Sequence, residues 1–202
     1  MNKRESINLL KIIHLRGEAF AENVISTFSC SNYEVDTFIH KDAISFAKTR
    51  KAITYLYLDD EGSLLGYYTI STKPFILKED TVSKSTLKRL LNYEFDDKNG
   101  RTINGFLLAQ LGKNEGIDNP VHGNELLNQA ISTIIDIMNR CGNEIIWLEC
   151  EDDNVRAITL YESEEFGFCQ FDNRIAENEY GKEVHYRMYL KYLKSKQLDK
   201  YI

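Results

Sequence analysis

The stretch from Ile103 to Ile135, INGFLLAQLGKNEGIDNPVHGNELLNQAISTII, constrains the fold more than any other part of the chain. Its apolar run Gly105-Phe106-Leu107-Leu108-Ala109-Gln110-Leu111 predicts a strand buried on both faces. Gly112 to Gly123 is a polar connection, with turn residues at Gly116, Asp118-Asn119-Pro120 and Gly123. Leu126, Leu127, Ala130, Ile131, Ile134, Ile135 and Met138 then recur at helical spacing, separated by polar residues. A strand, loop and helix in this order aim free backbone N–H groups and the positive end of a helix dipole at one point, which suits a phosphate. The chain has neither the lysine-bearing Walker loop nor G-x-G-x-x-G, so nucleotide hydrolysis and dinucleotide binding lack their residues.

Around this centre the chain alternates helices and strands. Ile7, Leu9, Leu10, Ile12 and Ile13 fit either a short strand or a helix. From Asn32 to Arg50 the spacing of Tyr33, Val35, Phe38, Ile39, Ala43, Phe46 and Ala47 predicts one helix, with Ser31 or Asn32 as its cap. Ile53–Leu58 and Leu64–Ser71 are β-branched and aromatic runs about the turn Asp59-Asp60-Glu61-Gly62, hence an antiparallel hairpin. A short helix is expected at Ser83–Asn92 and a turn at Glu94–Arg101. Ile145–Cys150 reads as a strand, and Asp153-Asn154 opens a helix through Tyr161 with Val155, Ile158 and Leu160 packing. Phe166–Phe171 and Val184–Leu190 read as closing strands joined by a polar connection at Asp172–Lys182. Hairpins and crossover helices together imply α/β with a mixed sheet. Without repeats or linkers, residues 1–202 are expected to form a single domain.

A net charge of −6 and a pI near 5.3 disfavour a broad nucleic-acid surface. The basic clusters are small: Lys73, Lys78, Lys84, Lys88 and Arg89, and a second from Lys191 to Lys200. They fit a solvated face. Cys30, Cys141, Cys150 and Cys169 form no C-x-x-C and have no histidine at ligand spacing, so neither a metal site nor a disulfide frame is expected. Cys150 reads as a core thiol. With no signal-like apolar centre at the N-terminus and no run of membrane-spanning length, the expected setting is the cytoplasm, away from membranes.

The assembled residues resemble the GNAT N-acetyltransferases. Two stretches carry the resemblance: Leu108-Ala109-Gln110-Leu111 followed after a loop by Gly123-Asn124-Glu125-Leu126-Leu127, and Asn154-Val155-Arg156-Ala157-Ile158-Thr159-Leu160-Tyr161 followed by Gly167-Phe168. The second matches N-x-x-A-x-x-L/F-Y and is the more specific. With the hairpin ending Gly66–Ser71, the resemblance covers roughly residues 25–190 of a single-domain chain. The fold it implies is α/β, with a mixed, mostly antiparallel sheet carrying helices on both faces. The family's loop usually reads Q/R-x-x-G-x-G/A; here Asn119-Pro120-Val121-His122-Gly123 keeps only the last glycine, and Pro120 removes one amide. Five residues separate Tyr161 from Gly167, more than the family's usual spacing. A narrower similarity joins Phe28–Asn32, Asp36–Ile39, Ala43, Thr54-Tyr55 and Gly66–Ser71 to GNAT toxins that acetylate aminoacyl-tRNA.

The resemblance implies acetyl-CoA as co-substrate, no metal, and an amine acceptor, small molecule or protein, that attacks the thioester directly. The thioester must be held, its carbonyl polarised, the amine neutral and the departing thiolate protonated. It assigns the amides of Leu111, Gly112 and Lys113 to the pantetheine and carbonyl, and those of Val121, His122, Gly123 and Asn124 to the pyrophosphate. Tyr161 is the expected general acid, since a phenol with a pKa of about 10 stays protonated at neutral pH. Asn154 is a helix cap, a cofactor contact, or both. Glu149, on one strand face with Trp147, is either a base acting through water or a paired surface acid. Tyr67, Tyr68 and Ser71 either line the acceptor pocket or fill the sheet. Two alternatives stand beside this reading: a toxin-type acetylase of aminoacyl-tRNA, which the net charge disfavours, and a catalytically silent acyl-CoA-binding module. Exposed sheet edges in such a fold can pair two chains as a homodimer.

Overall fold

The computed structural model describes residues 4–78, 81–95, 101–178 and 180–193. Seven strands hydrogen-bond in the order β1-β2-β3-β7-β8-β10-β9: β1 Glu5–Asn8, β2 Ile53–Leu58, β3 Leu64–Thr72, β7 Phe106–Lys113, β8 Ile145–Glu151, β10 Glu183–Tyr192 and β9 Cys169–Glu177. β1/β2, β2/β3, β8/β10 and β9/β10 pair antiparallel, and β7/β8 pair parallel from Phe106↔Ile146. The mixed, mostly antiparallel α/β class expected from the sequence is therefore the one observed. By contacts the chain divides into two compact units. One comprises residues up to Ser71 with Leu108–Thr133, the other Thr72–Leu107 with residues from Ile134 onward.

In the first unit, α1 (Leu9–Arg16), α2 (Glu18–Ile25), α3 (Tyr33–Lys41) and α4 (Ala43–Thr49) pack around Leu9, Phe28, Ile39, Ala43, Ala47, Leu56, Leu64 and Tyr67. The ambiguous N-terminal segment is thus both strand and helix: Asn8 ends β1 and accepts the amide of Lys11 to cap α1. The single helix expected over Asn32–Arg50 is two. Asn32 caps α3 by accepting the Val35 amide at 3.0 Å, as expected, and the helix then ends on Asp42. The chain leaves α4 through Arg50 in a left-handed conformation, φ 58°. The β2–β3 hairpin is as expected, its turn closed by the Asp59 carboxylate accepting the amides of Glu61 and Ser63 while Gly62 takes φ 86°.

In the second unit, β4 (Phe75–Leu77), β5 (Glu94–Phe95) and β6 (Arg101–Ile103) form a small antiparallel sheet. It contributes Phe75, Leu77 and Ile103 to a core with Leu90, Ile145, Trp147, Phe171 and Leu190. The short helix is α5 (Lys84–Leu90), capped by Ser83 and followed by a 3₁₀ turn at Leu91–Tyr93. Most of the expected Glu94–Arg101 turn, and the basic cluster beyond Leu193, lie outside the described residues. The final hairpin corrects the sequence reading. β9 runs on through Asp172–Glu177, residues expected to be a connection, because each pairs across to β10 despite its polarity. The long amphipathic helix is α6 (Gly123–Cys141), with Leu126, Leu127, Ala130, Ile134, Ile135 and Met138 buried, as its spacing predicted.

Candidate active site

The segment between β7 and α6 is not a loose connection. Asn114, fully buried at the end of β7, uses all of its side-chain capacity. Its Nδ2 donates to Thr27 O at 3.0 Å and Leu64 O at 2.8 Å, and its Oδ1 accepts the amides of Ser29 at 3.1 Å and Gly116 at 2.9 Å. Asn119 does similar work: Nδ2 donates to Leu65 O and Asn114 O, and Oδ1 accepts the Val121 amide at 3.0 Å. A buried polar group is tolerable only when so paired. These two asparagines fix the loop.

The first intrahelical bond of α6 runs from the Leu126 amide to His122 O, which makes His122 the N-cap. The Glu125 amide is taken by the Asn124 side chain. Among the described residues, nothing accepts from the amides of His122, Gly123 and Asn124. Three consecutive unpaired N–H groups at the start of a 19-residue helix make a cradle suited to an anion. Of the four amides expected to face the pyrophosphate, these three are open; Val121 is not, because Asn119 occupies it.

Gly112 sits in a tight niche. A Cβ there would lie 2.5 Å from Val35 Cγ1, 2.9 Å from Phe28 and 3.0 Å from Tyr67. The residue therefore has to be glycine whatever its amide does. Leu111, Gly112 and Lys113 form the C-terminal end of β7, so the strand runs two residues into what the sequence reading gave to the connection.

In the second unit, α7 (Val155–Glu162) starts at Asn154, whose Oδ1 accepts the Ala157 amide at 3.1 Å, so its capping role is realised. Ile158 and Tyr161 are its buried residues; Val155, expected to pack, is 69% exposed. After the helix the chain reverses through Gly167 at φ 60°, and Phe168 N–H returns to Tyr161 O at 3.0 Å. That reversal seats the Phe168 ring edge-on to Tyr161 at 5.9 Å, with Tyr189 at 6.2 Å on another side. The Gly-Phe after the tyrosine thus has a physical purpose, which the five-residue spacing still serves. The Tyr161 hydroxyl has no hydrogen-bond partner among the described residues, while its ring is held on two sides. Burial, with the Cys150 thiol nearby, pushes its pKa well above the ordinary value, so the phenol is protonated at any physiological pH. Cys150 is itself a buried thiol pushed up to about 12, a core residue as expected.

Three hydroxyls given as pocket-lining or sheet-filling, those of Tyr67, Tyr68 and Ser71, bond to protein atoms. Tyr67 is wholly buried and its hydroxyl donates to Val35 O at 2.6 Å; Tyr68 is wholly buried, pairs with Thr133 Oγ1 at 2.7 Å and stacks on Tyr55. Ser71 Oγ donates to Lys51 O. All three hydroxyls make a hydrogen bond within the protein, the two tyrosines from buried positions in the sheet. Glu149 meets Arg174 through both carboxylate oxygens, at 3.0 and 2.7 Å, with the guanidinium also over the Tyr186 ring. Of the two readings given for it, the paired acid is the one this geometry fits.

Sequence reasoning missed a trio beside the anion cradle. Glu125 Oε1 accepts from Arg4 Nη1 at 2.6 Å and from the Tyr57 hydroxyl at 2.8 Å. Burial alone would raise the Glu125 carboxyl, but these two bonds and the Arg4 charge outweigh it and hold the pKa below the usual value. A glutamate three residues after a helix N-cap is a legible signal; its partners, far away in sequence, are not. No group of histidine, cysteine and acidic side chains suited to a metal occurs among the described residues, and no described helix is long and apolar enough to cross a membrane.

No family model matches the sequence, and no curated protein matches it. Solved structures do match the fold. AtaT complexed with acetyl-methionyl-tRNAfMet aligns at TM-score 0.66 and 18% identity over 99% of both chains. AtaTR bound with AcCoA aligns at TM-score 0.56 and 15% identity over 98% of this chain and 96% of that one. A probable acetyltransferase from Staphylococcus epidermidis aligns at TM-score 0.56 and 12% identity over 96% of this chain and all of that one. The fold of this chain is that of the GNAT acetyltransferases.

Proposed function

We propose that the chain is an acetyl-CoA-dependent N-acetyltransferase. The observation that carries this reading is the run of three unpaired amides, His122, Gly123 and Asn124, at the N-terminus of α6 on a GNAT fold. That arrangement fits the pyrophosphate of a CoA thioester. It does so with only the last of the loop's usual glycines, Gly123, the backbone before it being held by Asn114 and Asn119. When bound, acetyl-CoA supplies an acyl group activated as a thioester. The acceptor amine forms the new C–N bond at the carbonyl carbon, the C–S bond breaks, and Tyr161 gives its phenolic proton to the departing sulfur. The amine's own proton leaves to water, Glu149 being engaged by Arg174, and the Tyr161 phenolate takes a proton back from water.

A second reading narrows the acceptor to the amino group of an aminoacyl-tRNA. It is favoured by the near-complete overlap with AtaT in its acetyl-methionyl-tRNAfMet complex, and opposed by the net charge of −6. Radiolabelled acetyl-CoA offered with simple amines, peptides and charged tRNAs tests both. Label passing to any amine supports the enzyme, and label passing only to charged tRNA selects the second reading. Binding of acetyl-CoA with no transfer to any of them would favour a silent module.

A further inference from the structure

Glu125 occupies the third position of α6 after the N-cap His122. A glutamate in this position can fold back and accept the N–H of the N-cap residue, as in a capping box. Here it does not. Its Oε1 is drawn to Arg4, which precedes β1, and to Tyr57 on β2, and the His122 amide is left open. All three residues belong to the same compact unit as the cradle. Were Glu125 released, its carboxylate would be free to fill the cradle with the protein's own anion, in direct competition with a phosphate.

We propose that Arg4 and Tyr57 are positioning residues for the cofactor: they hold Glu125 off the amides of His122, Gly123 and Asn124, and so keep the pyrophosphate site open. This inference rests on the acetyl-CoA reading above. Arg4 also balances the Glu125 charge, so an incoming phosphate meets N–H groups and a helix dipole beside a neutralised carboxylate. Neither residue touches the cofactor in this account; both act through Glu125.

The test compares CoA affinity by calorimetry in wild type, Arg4→Met, Tyr57→Phe and the double variant Arg4→Met/Glu125→Ala, alanine having no side-chain acceptor for the cradle. Arg4→Met should weaken CoA about tenfold, the weight of one charge-assisted contact. The double variant should recover most of that loss, because the competing anion is gone. A purely structural role for Arg4 would show the same recovery in the urea midpoint, since an unpaired carboxylate is removed, but would leave the His122 amide unmoved. Tyr57→Phe, which keeps the ring, should weaken CoA in the same sense by a smaller factor and stands in if Arg4→Met fails to fold. A second readout needs no cofactor: in ligand-free Arg4→Met the His122 amide proton should shift downfield and exchange more slowly than in wild type. Unchanged CoA affinity in both single variants overturns the inference. So does a double variant as weak as Arg4→Met, or an unmoved His122 amide. Wild type failing to bind CoA would instead overturn the proposed function, and the His122 amide would still decide whether Glu125 is held away.

Discussion

Asn119 Oδ1 takes the Val121 amide at 3.0 Å, and this one bond sets where the anion cradle begins. Its Nδ2 meanwhile holds Leu65 O and Asn114 O, fastening the loop to β3 and to the end of β7. Replacing Asn119 by Ala takes the side-chain partner from the Asn114 carbonyl and the Val121 amide, while Leu65 O keeps the Asn114 amide. The expected cost is about 2–3 kcal/mol, read as a lower urea midpoint with unchanged slope. CoA affinity should fall in the same variant, because His122–Asn124 lose their fixed approach.

Gly112 has no room for a methyl group, with Val35 Cγ1 at 2.5 Å from its would-be Cβ. Val35 is β-branched and cannot swing aside cheaply. Gly112→Ala should destabilise by about 1–3 kcal/mol by urea unfolding. Enlarging the niche with Val35→Ala in the same chain should recover part of that loss.

Tyr161 separates catalysis from stability. Its hydroxyl bonds to no described residue, while its ring is held by Phe168 and Tyr189. Tyr161→Phe should therefore keep the melting temperature, with stability within about 0.5 kcal/mol of wild type. The acetyl-transfer kcat should fall about 10²–10⁴-fold with CoA affinity unchanged. An unaltered kcat would remove Tyr161 from the mechanism.

The pH dependence of stability follows from the buried phenols. Burial raises Tyr161, and burial with a hydrogen bond to a carboxylate raises Tyr57 and Tyr189 to about 12. Unfolded tyrosines ionise near pH 10 and these do so later, so their contribution is intact below about pH 10 and is lost as pH climbs through the raised values. Glu125 has the opposite sign. Its lowered pKa contributes stability above the unfolded value of about 4.3 that is lost on acidification below it. Urea midpoints measured from pH 3 to 12 should show a plateau whose upper end comes first at about pH 8.5, where the unfolded Cys150 thiol ionises and the buried one does not. A fall already under way at pH 7 would contradict the assignment.

The strand–loop–helix at β7 and α6, the Asp59–Gly62 hairpin and the Asn154 cap were legible because each rests on local rules: an apolar period, a turn composition, a capping side chain. Tyr161 was legible only through the motif around it, since nothing local distinguishes one of twelve tyrosines. The rest depended on distant partners. β9 is polar over Asp172–Glu177 and reads as a loop until β10 pairs with it. Tyr67 and Tyr68 have the composition of a pocket lining, and only the Val35 carbonyl and the Thr133 hydroxyl reveal where their hydroxyls are spent. Arg4, 121 positions before Glu125, could not have been assigned to the cradle from spacing.

The measurement that bears most directly on the central claim is calorimetric titration of the purified protein with acetyl-CoA, with CoA and dephospho-CoA as comparisons. The account predicts a single site of micromolar affinity, about −8 kcal/mol, weakened in Asn119→Ala. No heat of binding at millimolar acetyl-CoA would contradict it, leaving the open amides of His122, Gly123 and Asn124 without the ligand assigned to them.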